Sequence, residues 1–74
     1  MEDLTGEIEV DGSMFHYEIR FFAKNEAEQF GGKIYDLTIF RENEMVGFYD
    51  RGWVLECENE KVQEAIDELL CKFD

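Results

Sequence analysis

One histidine, His16, and two cysteines, Cys57 and Cys71, stand among 74 residues, so the side chains that most often carry chemistry are few. Nucleophilic catalysis needs a hydroxyl or thiol held beside a base that can take its proton. The hydroxyl candidates, Thr5, Ser13 and Thr38, sit in no recognisable motif, and His16 lies in a strand-like stretch beside Glu18 and Arg20. His16 therefore reads as a surface residue, and no enzymatic activity is expected. Zinc would need Cys and His at ligand spacing, which Cys57, Cys71 and His16 do not offer. Glu42, Glu44 and Asp50, and the alternating Glu56, Glu58 and Glu60, lack the dense Asp/Asn pattern and glycine hinge of a calcium loop. No metal and no cofactor is expected.

The carboxylates dominate in another way. Nineteen acidic residues face seven basic ones, a formal charge of -12, yet 45% of the chain is hydrophobic and 15% aromatic. Disordered acidic tails lack that apolar content, so the chain should fold with an anionic surface. Such a field repels nucleic acid and acidic membranes and attracts basic protein surfaces. The length suits a single domain over residues 1–74, near the lower limit for folding without staples. Met1-Glu2-Asp3-Leu4 has neither a basic nor an apolar run, and no stretch reaches membrane-spanning length. With two free thiols, the expected compartment is a reducing cytoplasm.

Periodicity supplies the elements that position these residues. Gly6 to Val10 alternates at period two, Asp11-Gly12 is a hairpin signal, and Ser13 to Phe22 alternates again. Phe15, Tyr17, Ile19 and Phe21 fall on one face; Met14, His16, Glu18, Arg20 and Phe22 fall on the other. Lys24 to Gly32 reads as the longest loop, with a helical turn at Asn25 to Gln29. Lys33 to Arg41 is a third strand, with Tyr35, Leu37 and Ile39 on one face and Ile34, Asp36, Thr38 and Phe40 on the other. Glu42-Asn43-Glu44 makes a turn, Met45 to Tyr49 a fourth strand, and Arg51-Gly52 a break or bulge before Trp53 to Glu56 resumes it. Val62, Ala65, Ile66, Leu69, Leu70 and Phe73 then form one helical stripe, with Asn59 as N-cap, Glu60 in the first turn and Lys72 in the last. Cys71 falls opposite that stripe, and the helix holds it too far from Cys57 for an easy disulfide. The expected fold is α+β: a four-stranded antiparallel sheet with one C-terminal helix packed on one face, ββββα.

With the helix on one side, the other side of the sheet should be polar, but Met14, Phe22, Ile34, Phe40, Met45, Tyr49 and Trp53 project there. Scattered apolar side chains on an open face are ordinary. A contiguous patch rimmed by charge instead marks an interface, here a homodimer through Met14, Phe22, Ile34, Phe40 and Met45. Tyr49-Asp50-Arg51-Gly52-Trp53 has two readings as well. It is either a structural corner, with Gly52 bending the chain and Trp53 plugging the sheet–helix junction, or an exposed Tyr/Arg/Trp binding cluster.

The N-terminal hairpin, Gly31-Gly32-Lys33-Ile34, Tyr49 to Trp53 and a helix ending at Lys72-Phe73 together resemble a family of small acidic domains of Firmicutes and their bacteriophages. The likeness runs from Thr5 to Phe73 and rests on the Tyr-Asp-Arg-Gly-Trp corner. It brings no activity to transfer. It implies a phage or mobile-element source, where such proteins often inhibit host defence.

Two functions follow from this reading. The first is an anionic inhibitor that occupies the basic channel of a host nucleic-acid-processing protein, an anti-CRISPR protein on a guide-directed nuclease being one form. Duplex DNA carries one charge per about 1.7 Å of axis, and a channel built for it is basic. The residues expected to meet the partner are Glu56, Glu58, Glu60, Glu64, Asp67 and Glu68, with Tyr49, Arg51 and Trp53. The second is a homodimeric adaptor, acidic for solubility only. The placement of charge separates them, and between Glu56 and Glu68 only Lys61 is basic, which favours the first. Neither reading includes direct binding of nucleic acid or membrane.

Overall fold

Asp11-Gly12, Glu42-Asn43 and Arg51-Gly52 each place both residues at positive φ, the conformation that two-residue hairpin loops matching the strand twist require. The chain is consequently a meander of hairpins. A computed structural model describes residues 2–23 and 33–74, in which β1 (Glu2–Val10), β2 (Ser13–Phe21), β3 (Ile34–Arg41), β4 (Glu44–Asp50) and β5 (Trp53–Cys57) precede one helix, α1 (Glu60–Phe73). The strands form one antiparallel sheet in the order β1-β2-β3-β4-β5. The expected loop and helical turn between Lys24 and Gly32 lie outside the described residues.

The α+β fold with a C-terminal helix stands, but the sheet has five strands rather than four. Arg51 (φ 45°) and Gly52 (φ 98°) turn the chain completely instead of bulging β4, and Trp53 pairs back onto Asp50. β1 is also longer than Gly6 to Val10, running from Glu2 opposite Phe21.

Three bulges change which side chains reach the core. Arg20 and Phe21 pair with Asp36 and Ile34, leaving Tyr35 as an extra residue; Val46 in β4 and Leu55 in β5 are extra in the same way. One inserted residue per strand steepens the twist and curls the sheet around the helix. It also reverses the alternation beyond it. Ile34, expected on the open face, is buried in the core, while Tyr35, expected inside, sits in the cluster of charged and aromatic side chains outside it. Tyr49, also expected on the open face, is buried opposite Leu37.

The helix stripe of Val62, Ala65, Ile66 and Leu69 packs on Phe15, Ile19, Leu37 and Ile39. Two glycines permit close approach. A Cβ on Gly47 would lie 2.6 Å from Val62 Cγ1, so the helix can only seat where β4 has no side chain. Across the β1–β2 pair, Tyr17 lays its ring over Gly6 and then meets Phe73, with ring centroids 6.3 Å apart. Asn59 Oδ1 accepts the Val62 N–H at 3.1 Å, the cap read from the sequence. At the other end, the Asp74 carboxylate accepts the N–H groups of Lys33 (2.6 Å) and Ile34 (2.9 Å), tying the helix end to the start of β3. Among the described residues no helix is long and apolar enough to cross a membrane.

Candidate interaction surfaces

Asp36 is the buried charge among the described residues, at 4% exposure, and its neighbour across the strand pair is another carboxylate, Asp50. Each is neutralised by its own arginine. Arg20 Nε donates to both Asp36 oxygens at 2.9 Å and its Nη2 makes a further contact, while Arg51 Nε donates to Asp50 Oδ1 at 3.1 Å. Both guanidinium groups then rest on Tyr35, 5.4 and 5.3 Å from the ring centroid, where the ring's negative face attracts them. Phe22 closes the cluster, edge-on to Tyr35 at 5.0 Å. The hydrogen bond to Asp36, and then its charge, raise the Arg20 pKa, and Asp50 does the same for Arg51. The cluster holds its two positive charges firmly and internally.

Arg41 is spent in the same manner, with Nη1 and Nη2 donating to Glu58 at 2.6 and 3.0 Å. All three arginines of the chain are thus tied to carboxylates of the same chain. Lys61 Nζ donates to Ser13 Oγ at 3.2 Å, and Lys72 lies over Phe73. Little positive charge is left to offset the remaining acids. On the outward side of α1, Glu60, Glu64, Asp67 and Glu68 are exposed, and the described contacts give this group no ion pair, Asp67 accepting from Gln63. Glu60, Glu64 and Glu68 follow at i, i+4 and i+8, a column of like charges about 6 Å apart along the axis. Glu56 is exposed on β5, whereas Glu58 is engaged by Arg41.

A family model described as a domain of unknown function, DUF7678, matches residues 3–74. The chain belongs to the DUF7678 family. No curated protein and no solved structure matches it. The family description assigns no activity, so the surfaces of this DUF7678 domain must be read from their own chemistry.

The residues expected to act together are partly separated. Tyr49 to Trp53 splits in two: Tyr49 is in the core, with its pKa raised mainly by burial, while Arg51 and Trp53 lie outside. Trp53 does not plug the sheet–helix junction; it is 74% exposed. Of the five residues expected at a dimer interface, Met14, Phe40 and Met45 belong to the open face, by the alternation of β2 and by cross-strand pairing of Phe40 with His16 and Met45. Ile34 is in the core and Phe22 is buried, so neither is available there. The sequence reading missed Phe48, which follows the Val46 bulge, and Val54 and Leu55, which are exposed on the edge strand β5. Cys57 and Cys71 are free and exposed, and no group of three metal-ligating side chains gathers among the described residues.

Proposed function

We propose that this DUF7678 domain is a non-catalytic binding protein whose acidic helix meets a basic surface of a partner protein, one that otherwise holds nucleic acid. The observation that carries this reading is the internal pairing of every arginine, which leaves the Glu60-Glu64-Glu68 column with no ion pair among the described contacts, the neighbouring Lys61 and Lys72 turning to Ser13 and Phe73 instead. Like charges at i and i+4 destabilise a helix by roughly 0.2–0.5 kcal/mol per pair. Solubility needs no such column, since a scatter of charge serves it equally well. Inhibition of a guide-directed nuclease in the cytoplasm of a phage host, the kind of role the family resemblance implies, is one concrete form. Asp67 flanks the column on α1, Glu56 lies on the opposite face of the sheet beside Phe48, and Arg51 and Trp53 stand apart at the β4–β5 turn.

The test is capture of basic proteins from a bacterial lysate on the immobilised domain, repeated with Glu60→Gln/Glu64→Gln/Glu68→Gln and in the presence of duplex DNA. Partners that DNA displaces, that the variant fails to hold and that release with rising salt support the reading. A partner list unchanged by all three treatments sinks it. The second reading, a homodimeric adaptor joined through the open sheet face, retains Met14, Phe40 and Met45 but loses Ile34 and Phe22, and requires a dimer by sedimentation.

A further inference from the structure

Cross-strand pairing arranges the sheet face opposite α1 in rows. Glu7, His16, Phe40 and Met45 form one row; Thr5, Glu18, Thr38, Phe48 and Glu56 form the next. Met14, beside Glu9, extends the first row toward the Asp11-Gly12 turn. The middle strands therefore hold an apolar island of Met14, His16, Phe40, Met45 and Phe48, in which His16 and Phe40 are tilted rings 6.1 Å apart. Met14 is 53% and Met45 49% exposed, as flexible, polarisable side chains on an adaptable binding surface often are.

The island is the floor of a shallow groove. A cavity of about 640 Å³ opens between Met14, His16, Phe40 and the Glu42-Asn43 turn, and the depression continues past Glu18 to Thr38 and Phe48. Its borders are largely carboxylates: Glu7 and Glu9 on β1, Glu18 within it, Glu42 at the β3–β4 turn, and Glu56 on β5. Two arginines line the groove, Arg41 and Arg20, and each is already held by a carboxylate of the chain, Glu58 and Asp36.

From this chemistry we infer that the open sheet face binds an amphipathic segment of a basic partner protein, its apolar side chains on Met14, Phe40 and Met45 and its lysines or arginines against the rim. Charge decides the occupant. A second copy of the chain would set one carboxylate rim against another, and nucleic acid or an acidic membrane meets the same repulsion. A neutral apolar segment would leave the rim unpaired. The premise of a basic protein partner is shared with the proposed function, but the surface lies on the opposite side of the sheet from α1, so the two can fail separately.

The experiment uses the full chain, labelled with nitrogen-15, and two soluble synthetic peptides of equal length and charge. One alternates lysine with leucine, the other lysine with serine. The leucine peptide is expected to move the amide resonances of Met14, His16, Phe40, Met45 and Phe48 and to bind at least about tenfold tighter than the serine peptide, a modest apolar contribution on the affinity scale. Met14→Ser/Met45→Ser, at two exposed positions, should bring that ratio close to one while circular dichroism shows the fold intact. Glu60→Gln/Glu64→Gln/Glu68→Gln should leave the ratio unchanged, which separates this surface from the helix column. Equal binding of both peptides, shifts confined to α1, or concentration-dependent shifts at the island without peptide, the mark of a second copy, would each overturn the inference.

Discussion

Asp36 and Asp50 lie directly opposite each other on β3 and β4, two carboxylates in a position where like charges destabilise a sheet. The pair survives because each has its own arginine and both arginines share Tyr35. The regular β2–β3 register aligns Arg20 with Asp36, and the bulge just beyond it leaves the Tyr35 ring beside both cations. Removal of Arg20 would leave a buried carboxylate facing another. Arg20→Met should therefore destabilise the domain more than Asp36→Asn, and the double variant should recover part of the loss. Urea unfolding of the three variants measures the coupling; additive losses would show that the ion pair carries none.

Gly47 tests how closely the helix seats. Gly47→Ala introduces a Cβ 2.6 Å from Val62 Cγ1 and 3.4 Å from both Ile39 Cβ and Ile66 Cδ1, and these neighbours belong to the core. The expected cost is about 1–3 kcal/mol, typical of overpacking. Val62→Ala in the same chain should restore part of it, because the nearest clash is removed. Denaturant titration reads both values.

Backbone strain at Glu42 gives a change of opposite sign. Glu42 sits at φ 50° at the first position of the β3–β4 turn, where asparagine is better tolerated. Glu42→Asn should stabilise by about 0.5–1 kcal/mol, below the full cost of a left-handed residue, since the turn itself is kept. An increase in thermal midpoint checks it.

The helix, its cap and the first hairpin were legible because their signals are local. An Asp-Gly pair sets a turn, Asn59 precedes a clean stripe, and period two in β2 runs unbroken until Arg20. From Phe21 onward the pairing depends on bulges at Tyr35, Val46 and Leu55, which no residue type announces. Each adds one residue to its strand, so strict alternation assigned Ile34, Tyr35 and Tyr49 to the wrong sides. The fifth strand was hidden for a related reason. Arg51 is an unusual residue for positive φ, so Arg51-Gly52 looked like a break in β4 and not a full turn. The charge on the helix was visible in the sequence, but the confinement of all three arginines was not, because it requires partners 16, 17 and 1 residues away.

Tyr49 should leave a signature at alkaline pH. Burial raises its pKa above the ordinary 10.0, so on raising the pH the unfolded chain loses this proton before the folded one does. The contribution to stability is complete below pH 10, then falls as pH climbs toward the folded pKa. Tyr49→Phe, with no proton to lose, should show a smaller decline than the parent across that interval. Parallel curves for the two proteins would mean that Tyr49 ionises equally in both states.

The acidic column predicts that stability and binding move in opposite directions. Glu64 stands between Glu60 and Glu68, so Glu64→Gln relieves two i, i+4 repulsions at once. The gain should be about 0.4–1 kcal/mol at low salt, twice the usual single-pair effect. It should shrink as ionic strength rises toward 1 M, where the screening length falls to about 3 Å, below the spacing of the column. If the column meets a basic partner, the same substitution weakens that complex, and the loss shrinks with salt as well. A stability gain with unchanged partner affinity would assign the column to solubility alone. Thermal unfolding at two salt concentrations, set beside partner affinity under the same conditions, distinguishes the two outcomes with one variant.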